Sequence, residues 1–142
     1  MKDPSSSSCQ TTISDTTFAC QDRVEITGKP MDKRNLLIIN GSPLGITNRS
    51  LEVLLQLAVA LKQDGHGWVH KVDLSANVSA AQLVSRLRSE IRNHTLANDR
   101  KIIENNGSGS YRLSLPPDNV IIDKESLLNH WNAVVRDLVQ KV

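Results

Sequence analysis

Residues 106–115 read NGSGSYRLSL, a run of small polar residues that passes straight into an alternating apolar–polar stretch. A loop of this kind can cradle a phosphate, link two bodies, or turn a hairpin. A phosphate cradle of the nucleotide-binding type needs a strand before its glycines and a helix after them. Here Lys101–Glu104 and Tyr111–Leu115 both read as strands, so a hairpin is expected. The remaining reactive side chains form no recognisable centre. Cys9 and Cys20 fall within the first twenty residues and read as free thiols. His66, His70, His94 and His130 are scattered, with no cysteine or carboxylate at ligand spacing, so no metal site is expected. Asp64, Asp73, Glu90 and Glu104 make no catalytic pair, and Ser50, Ser79 and Ser126 lack a Gly-x-Ser-x-Gly setting. The expectation is a protein that is not an enzyme and needs no cofactor.

The totals bound what must position such a hairpin. A chain of 142 residues suffices for one domain with a modest core. Apolar residues are 39% and aromatic ones 3%, so that core is aliphatic. The formal charge of +2, from 17 basic and 15 acidic residues, leaves room for a local basic face. No apolar run approaches the roughly 18 residues of a membrane span. The opening MKDPSSSSCQ has no apolar core of a secretory signal. A cytoplasmic protein with no membrane partner is expected.

Residues 1–17 are Ser/Thr-rich without periodicity and read as a disordered tail. Val24 and Ile26 alternate with polar neighbours until Gly28-Lys29-Pro30, which is expected to break the run. Leu36–Ile39 ends at Asn40-Gly41, a hairpin turn signal, with Leu44-Gly45-Ile46 as the pairing partner and Pro43 suited to an edge. Thr47 is a good N-cap for a helix whose Leu51, Leu54, Leu55, Ala58 and Leu61 share one face and which ends at Asp64-Gly65. Residues 66–77 allow a short strand at Trp68-Val69 and at most one helical turn around Val72–Ala76. A second helix begins near Val78-Ser79 and stops at Asn93-His94. Ala80, Leu83, Val84, Leu87 and Ile91 form its apolar face, and Gln82, Ser85, Arg86, Ser89 and Arg92 the opposite one, with Arg88 at the boundary. Pro116-Pro117 ends the hairpin. A last helix follows Asp123, carrying Leu127, Leu128, Trp131, Val134, Val135, Leu138 and Val142 as a stripe to be buried on the domain or against a second copy. Tyr111 and Trp68 read as packing aromatics, and Trp131 as the anchor of the last helix.

Three stretches carry a resemblance to a known family. INGSPLGITNRSLEVLLQLA, LVSRLRSEI and KIIENNGSGSYRLSL resemble, in order and spacing, the sheet-to-helix entry, recognition helix and wing of OmpR/PhoB-type DNA-binding domains. LPPDNVIIDKESLLNHW is similar to the junction of SARP-type activators. The resemblance implies an α+β fold: a winged helix-turn-helix over residues 18–117, with an N-terminal antiparallel sheet and a C-terminal wing hairpin, followed by an extra amphipathic helix within 118–142. It implies a transcriptional regulator that reads double-stranded DNA. The recognition helix, about 78–92, would lie in the major groove and the wing, 104–112, at the adjacent minor groove. Gln82, Arg86 and Ser89 would face bases, because an arginine fork matches guanine O6 and N7. Ser79, Ser85, Arg88 and Arg92 would hold phosphates, Asn106 and Ser108 would act at the wing tip, and Arg112 on the wing strand. Arg49, at the first helix, is expected to stay a surface residue. A homodimer through the last helix, and RNA polymerase or a regulatory protein, are further partners implied. The chain departs from the family in three ways. The middle helix has room for little more than a turn, the tip carries no cation, and no receiver domain precedes the reader, so phosphorylation in cis is not expected. These departures suit a protein–protein interaction module as the alternative.

Overall fold

The computed structural model describes residues 22–74, 79–92 and 102–142. The expected tail over 1–17 and the helix stop at Asn93-His94 lie outside the described residues.

The chain begins with strands β1 (Val24–Met31), β2 (Arg34–Ile39) and β3 (Ser42–Ile46). Asn40 and Gly41 both take positive φ, 54° and 81°, as a two-residue hairpin turn with right-handed strand twist demands. Helix α1 (Asn48–Asp64) follows, started by the Thr47 hydroxyl accepting from Ser50 N at 3.3 Å and closed by Gly65 at φ 85°. A short strand β4 (Val69–His70) leads into the one-turn helix α2 (Lys71–Leu74). Helix α3 (Ala80–Ile91) precedes the hairpin of β5 (Ile103–Asn105) and β6 (Ser110–Leu113). A 3₁₀ turn (Pro117–Asn119), strand β7 (Val120–Ile122) and helices α4 (Lys124–Leu128) and α5 (Ala133–Val139) complete the described chain. The class is α+β.

Two sheets form, ordered β3-β2-β1-β7 and β4-β6-β5. All pairings are antiparallel except β7, which runs parallel to β1 with Val24 opposite Val120 and Ile26 opposite Ile122. The core is aliphatic, as the composition requires. Leu51, Leu54, Leu55, Leu57 and Ala58 of α1 are fully buried, and Leu87, Ile91, Ile103, Leu127 and Val139 close over them. Tyr111 is buried in the same cluster.

Three expectations are corrected. Gly28-Lys29-Pro30 does not end its strand. The β1–β2 register shifts between Ile26 and Pro30, and the strand continues to Met31. Pro30 is tolerated because β7 covers only Val24–Ile26, which leaves its side of the sheet open. Gly28 sits at the irregularity, and a Cβ there would lie 2.5 Å from the Ser126 carbonyl oxygen. Its absence lets α4 rest on the strand, with Gly28 N donating to Ser126 Oγ at 2.9 Å.

The last helix is not one rod. Residues 118–142 fold as a 3₁₀ turn, a strand and two short helices broken at Asn129–Asn132. Asn132 starts α5 by accepting from Val134 N at 2.9 Å. His130 is buried in the break. Its Nδ1 accepts from Asn132 N at 3.0 Å, so its Nε2 carries the proton and donates to Asn35 Oδ1 at 2.8 Å. Asn35 Nδ2 in turn donates to Asn48 Oδ1 at 2.8 Å and Ile46 O at 3.2 Å.

The break also overturns the reading of Trp131. Its side chain is 71% exposed, stacked on the His130 ring with centroids 5.3 Å apart, and it anchors nothing. Of the stripe, Leu127, Val135 and Leu138 are buried, and Val139, outside it, is buried with them.

Candidate nucleic-acid interface

Helix α3 is positioned from beneath by Ala80, Leu83, Val84, Leu87 and Ile91, all buried. The opposite face leaves Gln82, Ser85, Arg86, Ser89 and Arg92 exposed. Among the described residues, Arg86 has no side-chain hydrogen bond or ion pair. Ser79 lies just before the helix, exposed, and its hydroxyl does not cap it. At the α3 N-terminus Ser79 O accepts from Gln82 N at 3.1 Å and Leu83 N at 3.2 Å, and the Ser79 hydroxyl takes no part in the cap.

Arg88 behaves differently. It is half-buried and its Nη2 donates to Ile103 O at 2.6 Å, which ties α3 to the base of the hairpin. Arg112 is also engaged. Its Nε donates to Glu104 Oε1 at 2.5 Å across the β5–β6 pair, and its guanidinium lies 4.5 Å from the centroid of the Trp68 ring. Arg49 is exposed at the start of α1, as expected of a surface residue.

The hairpin tip closes on itself. Asn105 Oδ1 accepts from Gly107 N at 2.7 Å, and Asn106 Oδ1 accepts from Ser108 N at 2.7 Å and Ser110 N at 3.1 Å. These are side-chain turns of the kind asparagine favours. They occupy amides that a bare Gly/Ser loop would offer to phosphate. Gly107 and Gly109 take positive φ, 78° and 94°. Asn105 to Ser108 are exposed at the tip.

A cation missing from the tip in sequence stands next to it in space. Strand β4 pairs with β6, with His70 opposite Ser110. Lys71 N donates to Gly109 O at 2.8 Å, and a Cβ at Gly109 would meet Lys71 Cδ and Cε at 3.5 Å and His70 Nε2 at 3.6 Å. Lys71, Ser79, Ala81, Asn105 and Gly107 line one groove of about 490 Å³ between the start of α3 and the tip. Sequence reasoning missed His70 and Lys71. Only the β4–β6 pairing brings them to the tip, and no local pattern signals it.

Among the described residues, no group of three or more His, Cys, Asp or Glu side chains could hold a metal. No described helix is long and apolar enough to cross a membrane. No protein-family model matches the chain, and no curated protein or solved structure is significantly similar to it.

Proposed function

We propose that this protein is a sequence-specific DNA-binding transcriptional regulator built on a winged helix, cytoplasmic and without catalysis. The observation that carries the reading is the outer face of α3. Gln82, Ser85, Arg86 and Ser89 are exposed together on a helix held from below by aliphatic packing, with an uncommitted guanidinium among them. A helix fits the major groove, and such side chains reach base edges. The order sheet, α1, β4, α2, α3, hairpin agrees with the OmpR/PhoB-type arrangement that the sequence resembles. In this reading Gln82, Arg86 and Ser89 contact bases. Ser79, Ser85, Arg92 and Lys71 contact phosphates, and Asn106 and Ser108 approach the minor groove. Arg88 and Arg112 act as braces of the reading face.

Exposed Leu128, Trp131 and Val134, on one short segment, support a homodimer through the C-terminal helices, which would pair half-sites. RNA polymerase or a regulatory protein completes the proposed partners. The test of DNA reading is selection from a random duplex library with the whole chain. Enrichment of a common sequence is expected, and its absence ends the proposal.

A second reading, a protein–protein interaction module on the same scaffold, is favoured by one observation. Three of the cations on the face, Arg88, Arg92 and Arg112, have partners within the chain. A library without enrichment, joined to retention of a protein partner by the α3 face, would support it.

A further inference from the structure

A second groove, of about 510 Å³, runs along β7 and shares no residue with α3 or the hairpin. Ile121 and Ile122, both half-buried, give it an aliphatic wall, with Val120 fully buried beside them. Its rim is cationic: Lys62 at the end of α1, Lys124 at the start of α4, and Lys141 beyond α5, all exposed. One lining side-chain carboxylate, Asp118, stands against these three ammonium groups. Lys62 Nζ donates to Pro117 O at 2.6 Å, which fixes the cation over the groove and leaves its charge intact. Lys124 reaches the backbone oxygen of Val142, and Lys141 has no side-chain partner among the described residues.

Strand β7 is the outermost strand of its sheet, with β1 on one side. An edge strand presents backbone donors and acceptors to any extended segment that can lie beside it. Proteins often block such edges with lysines on the strand itself. Here the lysines come from α1, α4 and the segment after α5 and frame the groove, while Val120 N already donates to Pro117 O. Three cations repel a basic segment and attract an acidic one, and an aliphatic wall accepts alternate apolar side chains.

We propose that this groove docks an acidic, extended segment of a partner protein, laid along β7. Its aliphatic side chains rest on Ile121 and Ile122, and its carboxylates lie against Lys62, Lys124 and Lys141. The proposal does not rest on DNA reading, and both faces can be occupied together.

The test uses the full chain, a fluorescein-labelled peptide of alternating Glu and Val, and a Lys/Val counterpart, at low salt. Anisotropy is expected to show the Glu/Val peptide binding at least about tenfold more tightly than the Lys/Val peptide. Amide shifts should centre on Val120–Ile122. The pair Lys62→Glu and Lys141→Glu should weaken binding by a similar factor and leave DNA affinity unchanged. If that pair disturbs folding, Lys141→Glu alone serves, since its ammonium has no partner to lose. Unchanged peptide affinity in the variant, equal binding of both peptides, or shifts centred on α3 and the hairpin would each overturn the proposal. The last result would mean that the acidic peptide imitates nucleic acid.

Discussion

Glu90, on α3, closes the N-terminus of α1. Its Oε1 accepts from Thr47 N at 3.0 Å, and its Oε2 accepts from Ser50 Oγ at 3.1 Å and Thr47 Oγ1 at 3.2 Å. The first turn of α1 carries no acidic residue of its own. A helix N-terminus favours negative charge, and α3 supplies it from outside. The same bonds fix how α3 crosses α1, and so which way its exposed face points.

Glu90→Ala should therefore cost about 1–2 kcal/mol of stability, the scale of a lost cap with its charge. Urea unfolding measures it. Glu90→Gln keeps some of the acceptors and should recover part of the loss. An alanine variant as stable as the parent would sink the capping role.

Arg86 and Arg88, two residues apart, should separate cleanly. Arg86→Ala should leave stability unchanged and weaken a selected duplex by about 1–3 kcal/mol, the worth of one good base contact. Arg88→Ala removes the bond to Ile103 O and should lower stability by about 1–3 kcal/mol. Paired binding and unfolding curves on both variants check this. Equal effects from the two would undo the division between reader and brace.

Lys71→Ala should weaken binding to all duplexes alike. It should also reduce the slope of log affinity against log salt by about one, as expected of one phosphate contact. A salt series on selected and random duplexes shows whether it does.

Gly28→Ala should destabilise by about 1–3 kcal/mol, because the new methyl would lie 2.5 Å from the Ser126 carbonyl and push α4 off β1. The unfolding midpoint reads the effect. A neutral substitution would mean that α4 shifts freely, contrary to its close seating.

His130 makes stability depend on pH. Burial first, then the charge of Arg136, holds its imidazole below the usual histidine range. Geometry agrees. Nδ1 must keep a lone pair for Asn132 N, and Arg136 Nη1 lies at the His130 carbonyl, 2.7 Å away. The unfolded chain then binds a proton at a higher pH than the folded one. Stability is full above about pH 6.5 and declines as pH falls from there towards the lower folded value. His130→Gln should be less stable throughout, with that slope removed. A parent protein whose unfolding midpoint stays flat between neutral and mildly acidic pH would contradict this.

The legible parts of the fold were those written in local pattern. Asn40-Gly41, the faces of α1 and α3, and the strands around NGSGS all follow from neighbours in sequence. What escaped depends on distant partners. Val120–Ile122 becomes a strand because β1 lies beside it, and Gly28-Lys29-Pro30 stays in a strand because β2 pairs again at Pro30 and Met31. At the candidate site, the exposure of Gln82, Ser85, Arg86 and Ser89 was readable from helical spacing. The commitments of Arg88 and Arg112 were not, since Ile103, Glu104 and Trp68 reach them only through tertiary pairing. The asparagines that close the tip were visible in sequence, but their use of its amides was not.

The parallel seating of β7 on β1 has a kinetic consequence. On a translating ribosome, β1 waits for its second neighbour until residues 120–122 have cleared the exit tunnel. Nascent chains that stall earlier carry an unpartnered strand flank, the kind of surface that draws chaperones or aggregates. Refolding from denaturant should accordingly be slower than for a helical protein of equal length, because that loop closes late.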